Sequence, residues 1–223
     1  MDTPCRLVAR GAFGRWLICL GMALLVVSCG TRAGRLEVLQ HKKEIIEGRR
    51  DKDRFFKTSQ TSPLLTEQQM NFGGLAYFPV DIALRVTARY LRLENPLEFT
   101  IQTSTGHERV YATIGRLDFS LAGQPLTLFA YHEKGQQEEP GKRSLFVPFT
   151  DLTTGRETYG GGRYLDPPEP AGDSVVLDFN LAYNPYCAYN YNFSCPIPPQ
   201  ENRLAVAIKA GEKIFPLGQP LRQ

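Results

Sequence analysis

Between residues 75 and 149 the chain breaks into short apolar runs, rich in β-branched and aromatic residues and separated by turn residues. The runs are 75–78, 82–91, 97–103, 110–117, 126–131 and 144–149. Runs this short, recurring about every 8–12 residues, fit antiparallel strands better than helices, which need a longer apolar stripe of period 3.6. In the second run Ala83, Arg85, Thr87 and Arg89 alternate with Leu84, Val86, Ala88 and Tyr90, the period of a strand with one buried face. The expected fold is mainly β: a single antiparallel β-sandwich or barrel-like domain. Residues 117–124 read as a tight reversal, and 132–143, with Gly135, Pro140 and Gly141, as a polar loop.

Ahead of the strands, residues 35–56 are highly charged, with Val38, Leu39, Ile45 and Ile46 a heptad apart. That spacing predicts an N-terminal amphipathic helix packed on its own domain, bending or fraying near Gly48. Ser62-Pro63, then Thr66 with Gln69, predict a second short helix opened by a capping box. Late in the chain Leu204, Val206 and Ile208 alternate with Ala205, Ala207 and Lys209, and 204–208 is expected to be a further strand.

The first 28 residues have the form of a signal peptide. Arg6, Arg10 and Arg15 form a basic flank, and 16–27 is an almost unbroken apolar run, shorter than the roughly 20 residues of a spanning helix. It ends Val26-Val27-Ser28-Cys29-Gly30, which resembles the lipobox of bacterial lipoproteins, with Cys29 as the lipidated residue. The expected organisation is a signal peptide at 1–28, a lipid-anchored tether at 29–34 and one β-rich domain at 35–223. The resemblance implies a cell-envelope location, at the outer membrane of a Gram-negative host because Gly30 rather than Asp follows the cysteine. Three of the 26 basic residues and one of the 23 acidic residues lie in the leader, leaving 23 and 22. So balanced a chain gives no reason to expect a nucleic-acid partner.

Beyond Cys29 only Cys187 and Cys195 remain, and an even pair in an oxidising compartment is expected to form a disulfide. Neither has a histidine nearby to make it a nucleophile, and their spacing is poor for zinc. No metal or other cofactor is expected.

The later blocks FVPFTDLTTGRETYGGGRYL, LDFNLAYNPYCAY and CPIPPQENRLAVAIKAGEK resemble the signature blocks of the bacterial domain-of-unknown-function 1684 family. Lys52-Asp53-Arg54-Phe55-Phe56, Ser62-Pro63-Leu64 and Phe72-Gly73-Gly74-Leu75 fit it as well. The resemblance implies no activity and no catalytic residue.

Candidate residues therefore come from the chain itself. Gly160, Gly161 and Gly162 before Arg163 would let backbone amides approach an anion, with Arg163 as a planar fork; a tight hairpin or bulge is the plainer alternative. Arg163 would otherwise pair with Asp151, Asp166 or Asp178. Asp178, Asn180 and Asn184, rimmed by Tyr183 and Tyr186, would either line a polar pocket or cap loop amides. Glu201 and Asn202 follow the prolines at 196, 198 and 199 and complete the candidate ligand-binding set. The expected function is binding of an unidentified small ligand or envelope protein by a membrane-anchored lipoprotein. The alternative is a hydrolase using Asp178 or Glu201, with Arg163 orienting an anionic substrate.

Overall fold

The computed structural model describes the backbone of residues 14–135 and 143–216, with side chains from residue 34 onward. The expected signal peptide, Cys29 and most of the tether lie outside the described side chains, and most of the 132–143 loop lies outside the described residues. The chain divides into two compact units, residues 1–44 and 45–223. Helix α1 (Gly14–Thr58) supplies helical backbone to both. Among the described residues no helix is long and apolar enough to cross a membrane.

The second unit is mainly β. Strands β1 (Arg85–Gln102), β2 (Glu108–Leu121) and β3 (Gln124–Glu133) run up and down, and β6 (Ser174–Asp178) pairs with the far edge of β1. The sheet order is β3-β2-β1-β6, every pair antiparallel, and a separate two-stranded ribbon joins β4 (Val147–Phe149) to β5 (Arg163–Leu165). β1 slips register against β2 between Arg92 and Leu97, and β2 slips against β3 between Thr113 and Gly115. Because Arg92 faces Gly115, the two irregularities fall at one level, and together they curl the sheet into a half-barrel. Gly115 is needed there: a Cβ would lie 2.2 Å from the Tyr90 ring. Ala122 and Gly123, both at positive φ, make the two-residue turn between β2 and β3.

The alternation expected in β1 is present, with Ala88 and Tyr90 buried and Arg85, Thr87 and Arg89 exposed. These buried residues join Leu117, Leu128, Ala130, Leu177, Val147, Phe149 and Leu165 in one core, closed by Leu204, Ile208 and Ala210. Two expected strands are not regular ones. Residues 75–78 contribute only the bridge from Tyr77 to Glu212, and 204–208 follow 150–152 irregularly, Leu204 N donating to Thr150 O and Leu152 N to Val206 O. The Asp151 side chain takes the Ile208 N–H, so a side chain stands in for a ladder partner.

The amphipathic face of α1 also differs from the expected one. In the second unit the inward stripe is Ile45, Arg49, Lys52 and Phe56, while Ile46 is exposed and the helix runs unbroken through Gly48. Arg49 donates to Phe78 O (3.0 Å) and Asn180 O (3.3 Å), and Lys52 to Glu212 Oε1 (2.5 Å), which lets two cations occupy the packed face. Helix α2 (Thr66–Met70) is capped one residue earlier than expected, at Leu65, whose N–H donates to Gln68 Oε1. Gln69 instead reaches back to the carbonyls of Phe56 and Ser59 at the end of α1.

Candidate functional site

Most of the polar residues singled out in the sequence are built into the fold. Arg163, on β5 and 1% exposed, donates to Asp151 Oδ2 (2.9 Å), to Ile208 O (2.9 Å) and to the carbonyls of Ala210 and Glu212. Of its three possible carboxylate partners the fold uses Asp151. The glycine run before it is a turn. Gly162 sits at φ +84°, and a Cβ there would lie 2.7 Å from Phe149 O, so the run serves close backbone packing.

Asp178 ends β6 and caps the 3-10 turn Phe179–Leu181, its Oδ1 accepting from the backbone N (2.9 Å) and Nδ2 (2.8 Å) of Asn180. Asn180 then makes a reciprocal pair with the backbone of Asp81. Asn202 ties three backbone groups together, accepting from Phe129 N and donating to the carbonyls of Phe129 and Pro148. Asn184 donates its amide N–H to Glu212 Oε2 and its side-chain N–H to Lys213 O. Glu201 is exposed and accepts from the Tyr131 hydroxyl. Arg163, Asp178, Asn180 and Glu201 therefore do not meet at one concave surface.

Glu212, which sequence reasoning missed, is the buried hub of this half. Its carboxylate, 2% exposed, receives Lys52 from α1, the amide of Asn184 and the hydroxyl of Tyr189. Nothing in its own surroundings, Gly211-Glu212-Lys213, distinguishes it from a surface turn residue.

The concave site lies elsewhere. A cleft of about 730 Å³ opens beside the β2–β3 edge and the β4–β5 ribbon. α1 contributes Lys52, Phe55 and Phe56; β2 contributes Arg109 and Tyr111; β3 contributes Tyr131, His132 and Glu133. Phe146, Tyr164 and Asp166 come from the ribbon and its flanks, and Tyr183, Tyr186 and Phe193 from the loop after β6. Tyr183 is held there by backbone bonds exchanged with Tyr164, N to O at 2.9 and 3.1 Å. Of the ligand-binding residues proposed from sequence, the cleft uses Tyr183 and Tyr186.

Phe146–Tyr164 at 4.9 Å and 76° and Tyr164–Tyr183 at 5.7 Å and 87° meet at steep angles, while Tyr111 stacks on Phe146 at 5.5 Å and 28°. Burial pushes the phenols of Tyr111, Tyr131, Tyr164 and Tyr183 above their ordinary value, so they act as neutral hydrogen-bonding groups. Tyr111 donates to Glu133 (3.2 Å), whose carboxylate lies 3.5 Å from Arg109, and Tyr183 donates to Asp166. Asp166 is reachable by solvent through the cleft, yet its walls are close enough that burial raises its pKa against the opposing Tyr183 hydrogen bond. Among the described residues no three His, Cys, Asp or Glu side chains gather as a metal would require.

Cys187 and Cys195 lie side by side as buried free thiols, Cys187 N donating to Cys195 Sγ at 3.2 Å. The hydrogen bond with Cys195 lowers the Cys187 thiol's pKa, with Tyr159 O–H aiding at 3.6 Å, while Cys195 moves up. Cys195 also lines the cleft.

No curated protein matches the chain. Among solved structures it is similar to the solution NMR structure of an uncharacterised protein of Haloarcula marismortui. The two are 40% identical with a TM-score of 0.61, over 79% of this chain and 96% of that one. The family described as protein of unknown function, DUF1684, matches residues 70–213, more than half of the chain. The chain belongs to the DUF1684 family.

Proposed function

We propose that this is a bacterial lipoprotein, anchored in the cell envelope through acylated Cys29, whose β-rich domain binds a small ligand in the aromatic cleft. The cleft carries the reading: its volume, ring-lined walls and few convergent polar groups are those of a small-molecule site. The anchor rests on the basic flank, apolar run and Cys29-Gly30 of the leader. In that compartment the adjacent Cys187 and Cys195 would close into a disulfide. The hydrolase alternative has less support, because Arg163 and Asp178 hold backbone groups in place.

Two measurements on the full chain test the reading. Cys29→Ala should move the protein from the membrane to the soluble fraction, and retention in the membrane would overturn the anchor. Native mass spectrometry of protein purified from its own membranes should find a bound small molecule that is lost in Ser144→Trp, which fills the cleft. Equal recovery from both proteins, or none from either, would overturn the cleft as the site.

A further inference from the structure

We infer that the cleft takes an organic cation, an ammonium or alkylammonium group, with Asp166 as its counter-ion and the rings around Tyr164 and Tyr183 as its walls. This rests on the cleft being the ligand site and names the class of ligand. The argument is a balance of charge. Lys52 Nζ is spent on Glu212 Oε1 at 2.5 Å, and Arg109 on Glu133 at 3.5 Å and on Ser194 O at 3.0 Å. His132 Nε2 lies 3.8 Å from Glu169, which also receives Arg92. Asp166 differs: among the described residues no cation pairs with it, and its hydrogen bond is the one from Tyr183 to Oδ2. One negative charge is left over, at a position walled by aromatic rings.

Asp166 keeps contact with water, so what it offers a ligand is an unpaired, accessible carboxylate beside aromatic rings, which a positive group would complement. The rings suit such a group as well. Aromatic faces attract cations within about 6 Å of their centroids, and alkylated ammonium gains most because it loses little hydration. Lys52 Nζ lies 5.1 Å from the Tyr183 centroid and 5.4 Å from that of Phe56, so it covers those rings itself and leaves the side of the cleft at Asp166 to a ligand's charge. Tyr164, 5% exposed, packs edge-on against Tyr183, and the more open ring surface in the cleft is that of Phe55 and Tyr186, 37% and 39% exposed. An anionic ligand would be repelled by Asp166, and a neutral one would gain nothing from its charge.

The test is calorimetric titration of the full chain in detergent with choline, with tetramethylammonium and with 3,3-dimethylbutanol, the uncharged isostere of choline. Both cations should bind, and the isostere about tenfold more weakly or worse. Asp166→Asn, checked for an unchanged amide spectrum, should lose about the same factor for choline while leaving the isostere unaffected. If the isostere binds as well as choline, or Asp166→Asn binds choline normally, the cation inference falls and the cleft remains a ligand site. If no probe binds and native protein carries no molecule in the cleft, both readings fall. The comparison of choline with its isostere uses wild-type protein, so it decides even if the variant fails to fold.

Discussion

Removing the Arg163 guanidinium would strand the Asp151 carboxylate, 7% exposed, and release the carbonyls of Ile208, Ala210 and Glu212. Arg163→Ala should therefore cost about 3–5 kcal/mol in chemical denaturation, the range for breaking one side of a buried ion pair. A cost below about 1 kcal/mol would mean that the pair is not part of the folded scaffold. Asp166 should behave in the opposite way. Its folded pKa lies above the unfolded one, so its contribution is full below the unfolded value, about 4, and is lost as pH rises through the folded value. Asp166→Asn should be at least as stable as wild type at pH 7, with the gap closing toward pH 4; denaturant midpoints at the two pH values check this, and a deficit confined to pH 7 contradicts it. Both residues were visible as charged side chains in the sequence. Their opposite roles were not, because each is set by partners from distant segments: Ile208 for Arg163 and Tyr183 for Asp166. The polar candidates Asp178, Asn180 and Asn202 went the same way, since amide and carboxyl groups that suit a ligand equally suit stray backbone groups.

At the scale of elements the strands were the most legible part, because period-two alternation is a local property that burial preserves. β1 shows it through Arg85, Val86, Thr87, Ala88, Arg89 and Tyr90. What alternation does not reveal is continuity: the two runs either side of 93–96 are one strand, joined across a register slip that curls the sheet. Helix α1 was legible as a helix, but its face was misread, because two of the four inward positions hold Arg49 and Lys52. Apolar spacing cannot report a cation that is buried through its hydrogen bonds. Adjacent phenylalanines separate packing from site. Phe56, 1% exposed, packs on Tyr189 at 4.8 Å and on Phe72 at 6.0 Å, and Phe56→Ala should cost about 3–5 kcal/mol. Phe55 is 37% exposed at the cleft, and Phe55→Ala should cost less than about 1 kcal/mol while weakening ligand binding. Thermal or denaturant unfolding of the two variants checks the contrast, and equal losses would contradict it.

For the whole molecule, the aromatic cleft is assembled from α1, two strands, the β4–β5 ribbon and the loop after β6, segments up to 144 residues apart from Lys52 to Pro196. No short motif could have announced it, although the crowding of six of the ten tyrosines into 159–191 marked the region. Cys195 lines the cleft and Cys187 lies against it, so the covalent state of that pair bears on the cleft wall. Non-reducing mass analysis of protein taken from the envelope should find the two sulfurs joined, and two free thiols there would contradict the pairing. The central claim is that function resides in this cleft, with the Arg163, Asp178 and Asn180 cluster serving the fold. Chemical-shift mapping of the isotopically labelled full chain, titrated with the small-molecule fraction of an envelope extract, tests it most directly. The account predicts shifts concentrated at Tyr111, Phe146, Tyr164, Asp166, Tyr183 and Tyr186; shifts centred instead on Asp178, Asn180 and Glu201, with the cleft silent, would contradict it.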